Sequence, residues 1–222
     1  MLTDQGHSFQ HYCSDVTISF PVNGRFTEKQ AQIYNIVLKA SRAVFQKLKP
    51  GTDWIECHKL AERITLEGLV ELGMLTGSID EMMEKRIGFI FMPHGLGHFI
   101  GLDTHDVGGY LAHTPKRNDQ PGLANVRTAR IIEEGNVITI EPGCYFRDFL
   151  LDGEIPADFY EFDLSYLNRD KIREYQAEIS GVRIEDVVLV TETGNENLSY
   201  DIPRTVPQIE ACMANKENWR DL

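Results

Sequence analysis

No run of apolar residues in this 222-residue chain approaches the roughly 18 needed to cross a bilayer. No charged-then-apolar leader opens it either, so the sequence points to a cytoplasmic protein rather than a secreted or membrane-spanning one. Cysteine is scarce. Cys13, Cys57, Cys144 and Cys212 lie far apart without a CxxC pair, which gives no zinc-ribbon or redox signature and fits reduced thiols. Positive charge is also short, with 22 Lys and Arg against 34 Asp and Glu. The resulting net charge of -12 argues against a nucleic-acid or anionic-membrane partner, because phosphate binding needs clustered cations. Repeats and low-complexity tracts are missing. A hydrophobic content of 42% suits one domain over residues 1–222 with a substantial core.

What is present is a concentration of histidine and glycine. Residues 92–110 hold His94, His98 and His105, three of the seven histidines, threaded with Gly95, Gly97, Gly101, Gly108 and Gly109. Glycine lets backbone approach a ligand closely, so this pattern predicts a loop shaped around something rather than a helix. The HxxxH spacing of His94 and His98 is not the zinc-protease helix, since Gly95 stands where that motif has glutamate and both glycines disfavour helix. A plain structural turn with partly exposed imidazoles is the other reading, and carboxylates elsewhere must decide between them.

Three segments supply such carboxylates. Asp15-Val16-Thr17-Ile18-Ser19-Phe20 alternates as a strand with Val16, Ile18 and Phe20 on one face and Asp15, Thr17 and Ser19 on the other. If residues 2–18 form a hairpin turning near Phe9 and Gln10, Asp4 faces Asp15. Facing residues have Cβ atoms about 4.5–5.5 Å apart, where two carboxylates repel unless a cation intervenes. A solvated hairpin is equally open. Next, Asn136-Val137-Ile138-Thr139-Ile140 reads as a buried strand running into Glu141-Pro142-Gly143 and a second segment, Cys144–Phe146; Glu141 either reaches solvent or, if buried, needs a counter-charge. Last, Gly181–Val190 is β-rich, with Arg183 and Glu185 on one face, where an intrastrand ion pair is the simpler account.

The remaining periodic stretches read as scaffold. Thr27 and Gln30 form a capping box ahead of Ile33, Val37, Ala40, Val44 and Leu48, and Pro50-Gly51 ends that helix. Thr52 can cap a second helix reaching about Leu75 through Leu60, Ile64, Gly68 and Leu72, and Ser78 with Glu81 caps a short third. Residues 147–176, with Asp152-Gly153 and Pro156, read as an irregular insertion with short helical turns. Pro203–Ala214 closes the sequence with a short helix.

Taken together, Asp4, Asp15, Glu141 and Glu185 with one loop imidazole would make a five-ligand site. Four carboxylates balance two divalent cations, and one imidazole among oxygens suits Mn²⁺, Co²⁺ or Zn²⁺, with Mn²⁺ first.

These residues carry a resemblance. Asp4-Gln5-Gly6, Ser14-Asp15-Val16-Thr17, the whole stretch from His94 to Tyr110, Arg127-Thr128-Ala129-Arg130, Ile140-Glu141-Pro142-Gly143 and Gly181–Asp186 resemble, in order, the metallopeptidase domain of the prolidase (Xaa-Pro dipeptidase) family. The resemblance implies an α+β pita-bread fold, a curved antiparallel sheet backed by helices. It also implies dinuclear-metal hydrolysis of dipeptides ending in proline or hydroxyproline, and homodimers. Carried over by position, Asp4 binds one metal, Asp15 and Glu185 bridge, and His98 and Glu141 bind the second. His94 and His105 flank the scissile bond as catalytic groups, with His105, Arg127 and Arg183 as substrate contacts. Arg127 would grip the free carboxylate, and Arg183 would orient Glu185. The likeness starts only three residues before the first aspartate, so the family's amino-terminal domain and the first catalytic segment, with a further substrate-binding histidine, are expected to be missing. An aminopeptidase P-like enzyme acting on longer peptides and a non-catalytic pita-bread binding module are the alternatives; creatinase-like chemistry fits less well, because it does without the metal set.

Overall fold

The strongest periodic segments become a helical layer. In a computed structural model describing residues 1–154, 160–216 and 218–222, Thr27 and Gln30 close the expected capping box on α1 (Glu28–Lys47), which buries Ile33, Val37, Ala40 and Val44. Helix α2 (Trp54–Glu71) differs from the sequence expectation at both ends. Its N-cap is Asp53, whose carboxylate accepts from the amides of Ile55 and Glu56; an anion is favoured over a hydroxyl at the positive end of a helix. Thr52 instead braces the preceding turn, donating to the Lys47 carbonyl and accepting from the Lys49 amide. Helix α2 stops at Glu71 rather than near Leu75. Its mid-helix Gly68 has a packing reason, for a Cβ there would stand 2.5 Å from Ile36 Cγ1 of α1. Ser78 caps α3 (Ile79–Glu84) as expected.

The strands form an antiparallel set on which these helices pack. β1 (Leu2–Gln5) pairs with β4 (Val16–Ser19), and between them β2 (Ser8–Phe9) and β3 (Tyr12–Cys13) continue the same hairpin. The turn lies at Gln10-His11, both with positive φ (48° and 73°). Moving the turn centre by one residue shifts every pairing by two. Asp4 therefore faces Thr17, not Asp15, and lies diagonally from Asp15 on the same face. The faces also differ from expectation in burial: Thr17 and Ser19 are more deeply buried than Val16 and Ile18, because this polar face meets two later strands.

Those strands form two bent ladders. β5 (Val137–Ile140) pairs with β8 (Asp186–Val190), and β6 (Gly143–Tyr145) with β7 (Gly181–Arg183). β9 (Asn195–Asn197) adds an edge to β8. One core cluster lies where Ile33, Leu66 and Phe91 meet Cys144, Val182 and Ile184. A second joins Ala40, Trp54 and Leu96 to Ile138 and Val188; each large side chain so buried contributes about 1.5–3 kcal/mol. The expected irregular stretch contains α4 (Asp148–Leu151), a turn of 3-10 helix at Leu164–Tyr166 and α5 (Arg169–Gln176). Pro156 lies outside the described residues. α6 (Val206–Met213) has a capping box between Thr205 and Gln208. Among the described residues no helix is long and apolar enough to cross a membrane.

Helix α2 is not purely apolar inside. It buries His58 and Glu62, and Glu62 lies 2.7 Å from the equally buried Arg86. Burial pushes Glu62 up to about 7 despite Arg86, and pushes His58 down to about 3, with the Arg86 charge adding to the effect. His58 is thus neutral when folded and gains a proton on unfolding below its ordinary value of 6.5. In that window the unfolded state binds the extra proton, so this group lowers stability as pH falls from 6.5 towards 3, by about 1.4 kcal/mol per pH unit. Glu62 acts in the opposite sense, and a comparison of two chains that both keep it isolates His58. Urea unfolding at pH 6.5, 5.5 and 4.5 should show His58→Gln losing less stability on acidification than the parent chain. Equal slopes would contradict a neutral buried His58.

Candidate metal centre

The centre is built where the two bent ladders break. Ile140 faces Asp186 and Gly143 faces Arg183, so an unchanged register sets Glu141 opposite Glu185. Neither glutamate amide stays in that ladder. The Glu141 N–H donates to the Leu96 carbonyl at 2.8 Å, and the Glu185 N–H donates to the Thr17 carbonyl at 3.0 Å. Each break therefore recruits a flanking segment: the histidine loop on one side and β4 on the other.

The loop docks as an irregular strand along β5. Thr139 N–H donates to the His98 carbonyl at 2.9 Å, Ile100 N–H donates to Val137, and Phe99 bridges to Ile138. Gly97 makes the approach possible, since a Cβ there would stand 2.0 Å from the Thr139 carbonyl oxygen. The expectation of a non-helical loop holds; the close approach that Gly97 permits is to the β5 backbone rather than to a ligand. His98 is almost fully buried, and its Nδ1 lies 2.9 Å from the Phe99 carbonyl. A carbonyl can only accept, so Nδ1 carries one proton, and Nε2 without a second one presents its lone pair. That lone pair faces Asp15 Oδ2 at 3.5 Å and Glu141 Oε1 at 3.4 Å. Three electron-rich atoms facing one another require a proton or a cation between them.

The carboxylates register the same crowding. One atom each from Asp15, His98 and Glu185 lie within 4.8 Å of one another. Glu185 is only 2% exposed and forms no ion pair among the described residues; Thr17 Oγ1 donates to its Oε2 at 2.6 Å. Burial, then the charge of Glu141, then Asp15 and Asp4, push its carboxyl up to about 8 despite that bond. Burial also raises Glu141, against His98 and a hydrogen bond from Thr139 Oγ1 at 3.0 Å. For Asp15, burial acts upward but the hydrogen bond and charge of His98 prevail and lower it. His98 is raised: burial opposes this, and Asp15, the Phe99 carbonyl and the glutamates outweigh it. Asp15, Glu141 and Glu185 with a preset imidazole, and with no ammonium or guanidinium paired to them among the described residues, fit hard or borderline divalent cations.

The other predicted residues take places around this group. Asp4 is half exposed and pairs with Arg183, so the intrastrand Arg183–Glu185 pair is replaced by one reaching across to β1. Arg183 also donates to Thr17 Oγ1 at 3.2 Å and to the Tyr145 hydroxyl at 3.3 Å. The position of His94 Nδ1, 2.7 Å from the Gly95 carbonyl, assigns its proton there, and Nε2 accepts from the Tyr145 hydroxyl at 2.9 Å. Burial pushes His94 down to about 4, so it is neutral at pH 7. His105 stands edge-on to His98, with ring centroids 4.4 Å apart. His94, His98, His105, Arg127 and Glu141 line a cleft of about 430 Å³. Arg127 is exposed at that cleft, on a loop held by Asn125 Nδ2 donating to the Pro93 carbonyl at 3.1 Å.

Thr17, Thr139 and Tyr145 were missed in the sequence. The two threonines were legible, for each stands two residues from a predicted ligand and so shares its strand face. Tyr145 had no such signal, since its role depends on β6 pairing with β7.

Known proteins resemble this chain in both sequence and fold. The sequence model of metallopeptidase family M24 matches residues 1–192. The chain is 50% identical over 213 residues to a human Xaa-Pro dipeptidase, covering 96% of this chain and 42% of that protein. It is 40% identical over 215 residues to a probable Xaa-Pro aminopeptidase of Aspergillus clavatus, covering 96% of this chain and 44% of that one. Among solved structures, Pseudomonas aeruginosa aminopeptidase PepP superposes with a TM-score of 0.73 at 35% identity, covering 98% of this chain and 42% of that one. A zinc-substituted Escherichia coli aminopeptidase P in complex with product gives 0.73 at 36%, covering 97% and 41%. The chain thus spans less than half the length of these relatives, and its fold is the pita-bread fold of those aminopeptidases.

Thr139→Val removes the hydroxyl that donates to Glu141 and accepts from the His98 amide. Urea unfolding should show a loss of about 1–3 kcal/mol, the usual effect of leaving buried polar groups unpaired. An unchanged midpoint would mean that neither bond is formed.

Proposed function

The chain belongs to metallopeptidase family M24, and on that premise we propose that it serves as a dinuclear-metal dipeptidase, hydrolysing dipeptides with carboxy-terminal proline or hydroxyproline. The observation that carries this reading is the convergence of Asp15, His98 and Glu185, with Glu141 beside them, next to a cleft that His98 and Glu141 line together with Arg127. In the proposal Asp15, His98, Glu141 and Glu185 hold two divalent cations, with Asp4 as the fifth ligand. Mn²⁺ is the first choice, with Co²⁺ and Zn²⁺ as alternatives, because oxygen donors dominate. When bound, such a pair supplies Lewis acidity and lowers the pKa of a water. A cytoplasmic, homodimeric protein organised as one domain completes the proposal.

The chain's own groups divide the remaining work. Neutral His94, its Nδ1–H held on the Gly95 carbonyl, presents Nε2 next to the Tyr145 hydroxyl. It is thus placed to take and return a proton through that hydroxyl or at a substrate atom replacing it. His105, against the face of His98, borders the same space. Arg127 offers a planar fork to a terminal carboxylate, which distinguishes a dipeptide from a longer peptide whose carboxylate lies further away. Arg183 ties β1, β4 and Tyr145 together by its three bonds, and in the proposal it meets substrate beside the Tyr145 hydroxyl that it shares with His94.

The relatives include both dipeptidases and aminopeptidases, and chain length of the substrate separates the two readings. With Mn²⁺ supplied, Gly-Pro should be cleaved and Gly-Pro-Pro should not. Arg127→Ala should lower kcat/KM for Gly-Pro about 10- to 100-fold, matching the roughly 1.5–3 kcal/mol of a hydrogen bond to a charged group. Efficient cleavage of Gly-Pro-Pro, untouched by Arg127→Ala, would establish the aminopeptidase reading instead. Metal binding without cleavage of either peptide would favour the non-catalytic module.

A further inference from the structure

Beyond residue 192, where the family match ends, one buried side chain reaches back into the centre. Arg204 precedes α6 and is 2% exposed. Its Nη1 donates to the Thr17 carbonyl at 2.8 Å, and its Nη2 donates to the Glu185 carbonyl at 2.5 Å. Nε and Nη2 both donate to Asp186 Oδ1, at 3.1 and 2.8 Å. Its own carbonyl accepts from the Tyr34 hydroxyl at 2.8 Å, which fixes the segment against α1.

These bonds fall at a mechanically decisive place. Thr17 stands two residues from Asp15 on β4, and Glu185 is itself a proposed ligand. Among the described residues the other hydrogen bonds between the two strands there are the Glu185 N–H on the Thr17 carbonyl, the Thr17 hydroxyl on the Glu185 carboxylate, Arg183 Nε on the Thr17 hydroxyl, and Ser19 against the Arg183 backbone. A planar guanidinium with donors in fixed directions sets the separation of two carbonyls, as a flexible ammonium cannot. The neighbouring Asp186 neutralises it without drawing on the ligand carboxylates.

We propose that Arg204 is a positioning residue that fixes the gap between the strands carrying Asp15 and Glu185, and thereby the spacing of the two cation positions. The proposal rests on the metal-centre reading above. It requires no contact between Arg204 and metal or substrate.

The test compares Mn²⁺ binding and urea unfolding in the parent chain, Arg204→Lys and Arg86→Lys. Arg86 is an equally buried arginine that also pairs with a carboxylate, but it does not touch the ligand strands. Both variants should unfold at lower urea. Only Arg204→Lys should bind Mn²⁺ more weakly, by about 10- to 100-fold, as loss of groups that orient ligands typically does. It should also alter the spin-coupling signature of the bound pair in electron paramagnetic resonance. Mn²⁺ affinity and coupling unchanged in Arg204→Lys, or weakened equally in Arg86→Lys, would overturn the proposal. Should Arg204→Lys fail to fold, the double variant Arg204→Met with Asp186→Asn removes both buried charges together and is judged by the same two results. A parent chain that binds no Mn²⁺ would remove the metal-centre reading and this proposal with it, whereas normal parent binding with an indifferent Arg204→Lys would remove this proposal alone.

Discussion

Asp15, Glu141 and Glu185 crowded around His98, with no lysine or arginine paired to any of them among the described residues, are the constraint on which the rest of this structure depends. Glu141 and Glu185 interrupt two strands that otherwise pair continuously on either side, and their amides leave that ladder for the histidine loop and β4. The cost of the interruption is offset by two new attachments. One brings the Nε2 of His98, and the other brings Asp15. Packing against the helices holds that arrangement against the repulsion it contains, and in our proposal the bonds of Arg204 to the Thr17 and Glu185 carbonyls do the same.

The threonines show how the repulsion is borne in the polypeptide itself. Thr17 and Thr139 each donate a hydroxyl hydrogen to one glutamate, which stabilises the anion locally without adding positive charge. They do not cancel it: burial and the neighbouring acids still hold Glu185 at about 8. A divalent cation would complete the balance, and this is why the donor set suits metal better than a structural ion pair. Arg183, the nearest candidate for such a pair, is engaged by Asp4 instead.

Much of this was legible in the residues. The capping box at Thr27 and the cap at Ser78 are local signals with local causes, and they marked two helix starts; the box between Thr205 and Gln208 is a signal of the same kind that only the structure brought out. The alternation of Asp15, Thr17 and Ser19 correctly separated one face from the other, although it could not say which was more deeply buried. That depends on Glu185 and Arg183, some 165 residues away in sequence. The Asp4–Asp15 pairing was displaced because two non-glycine residues, Gln10 and His11, take the left-handed turn positions, a choice that propensity argues against. Arg204 was invisible for a different reason. An arginine after a proline near a helix start carries no periodic pattern, and its value comes wholly from the strands that converge on it.

The central claim is that the crowded acids exist to hold metal, and a titration of metal-free chain with Mn²⁺ followed by electron paramagnetic resonance tests it most directly. About two ions per chain, as a dinuclear centre requires, with a spin-coupled signal that Glu185→Gln abolishes, is the predicted result. Absence of saturable binding, or binding indifferent to Glu185→Gln, would contradict the account.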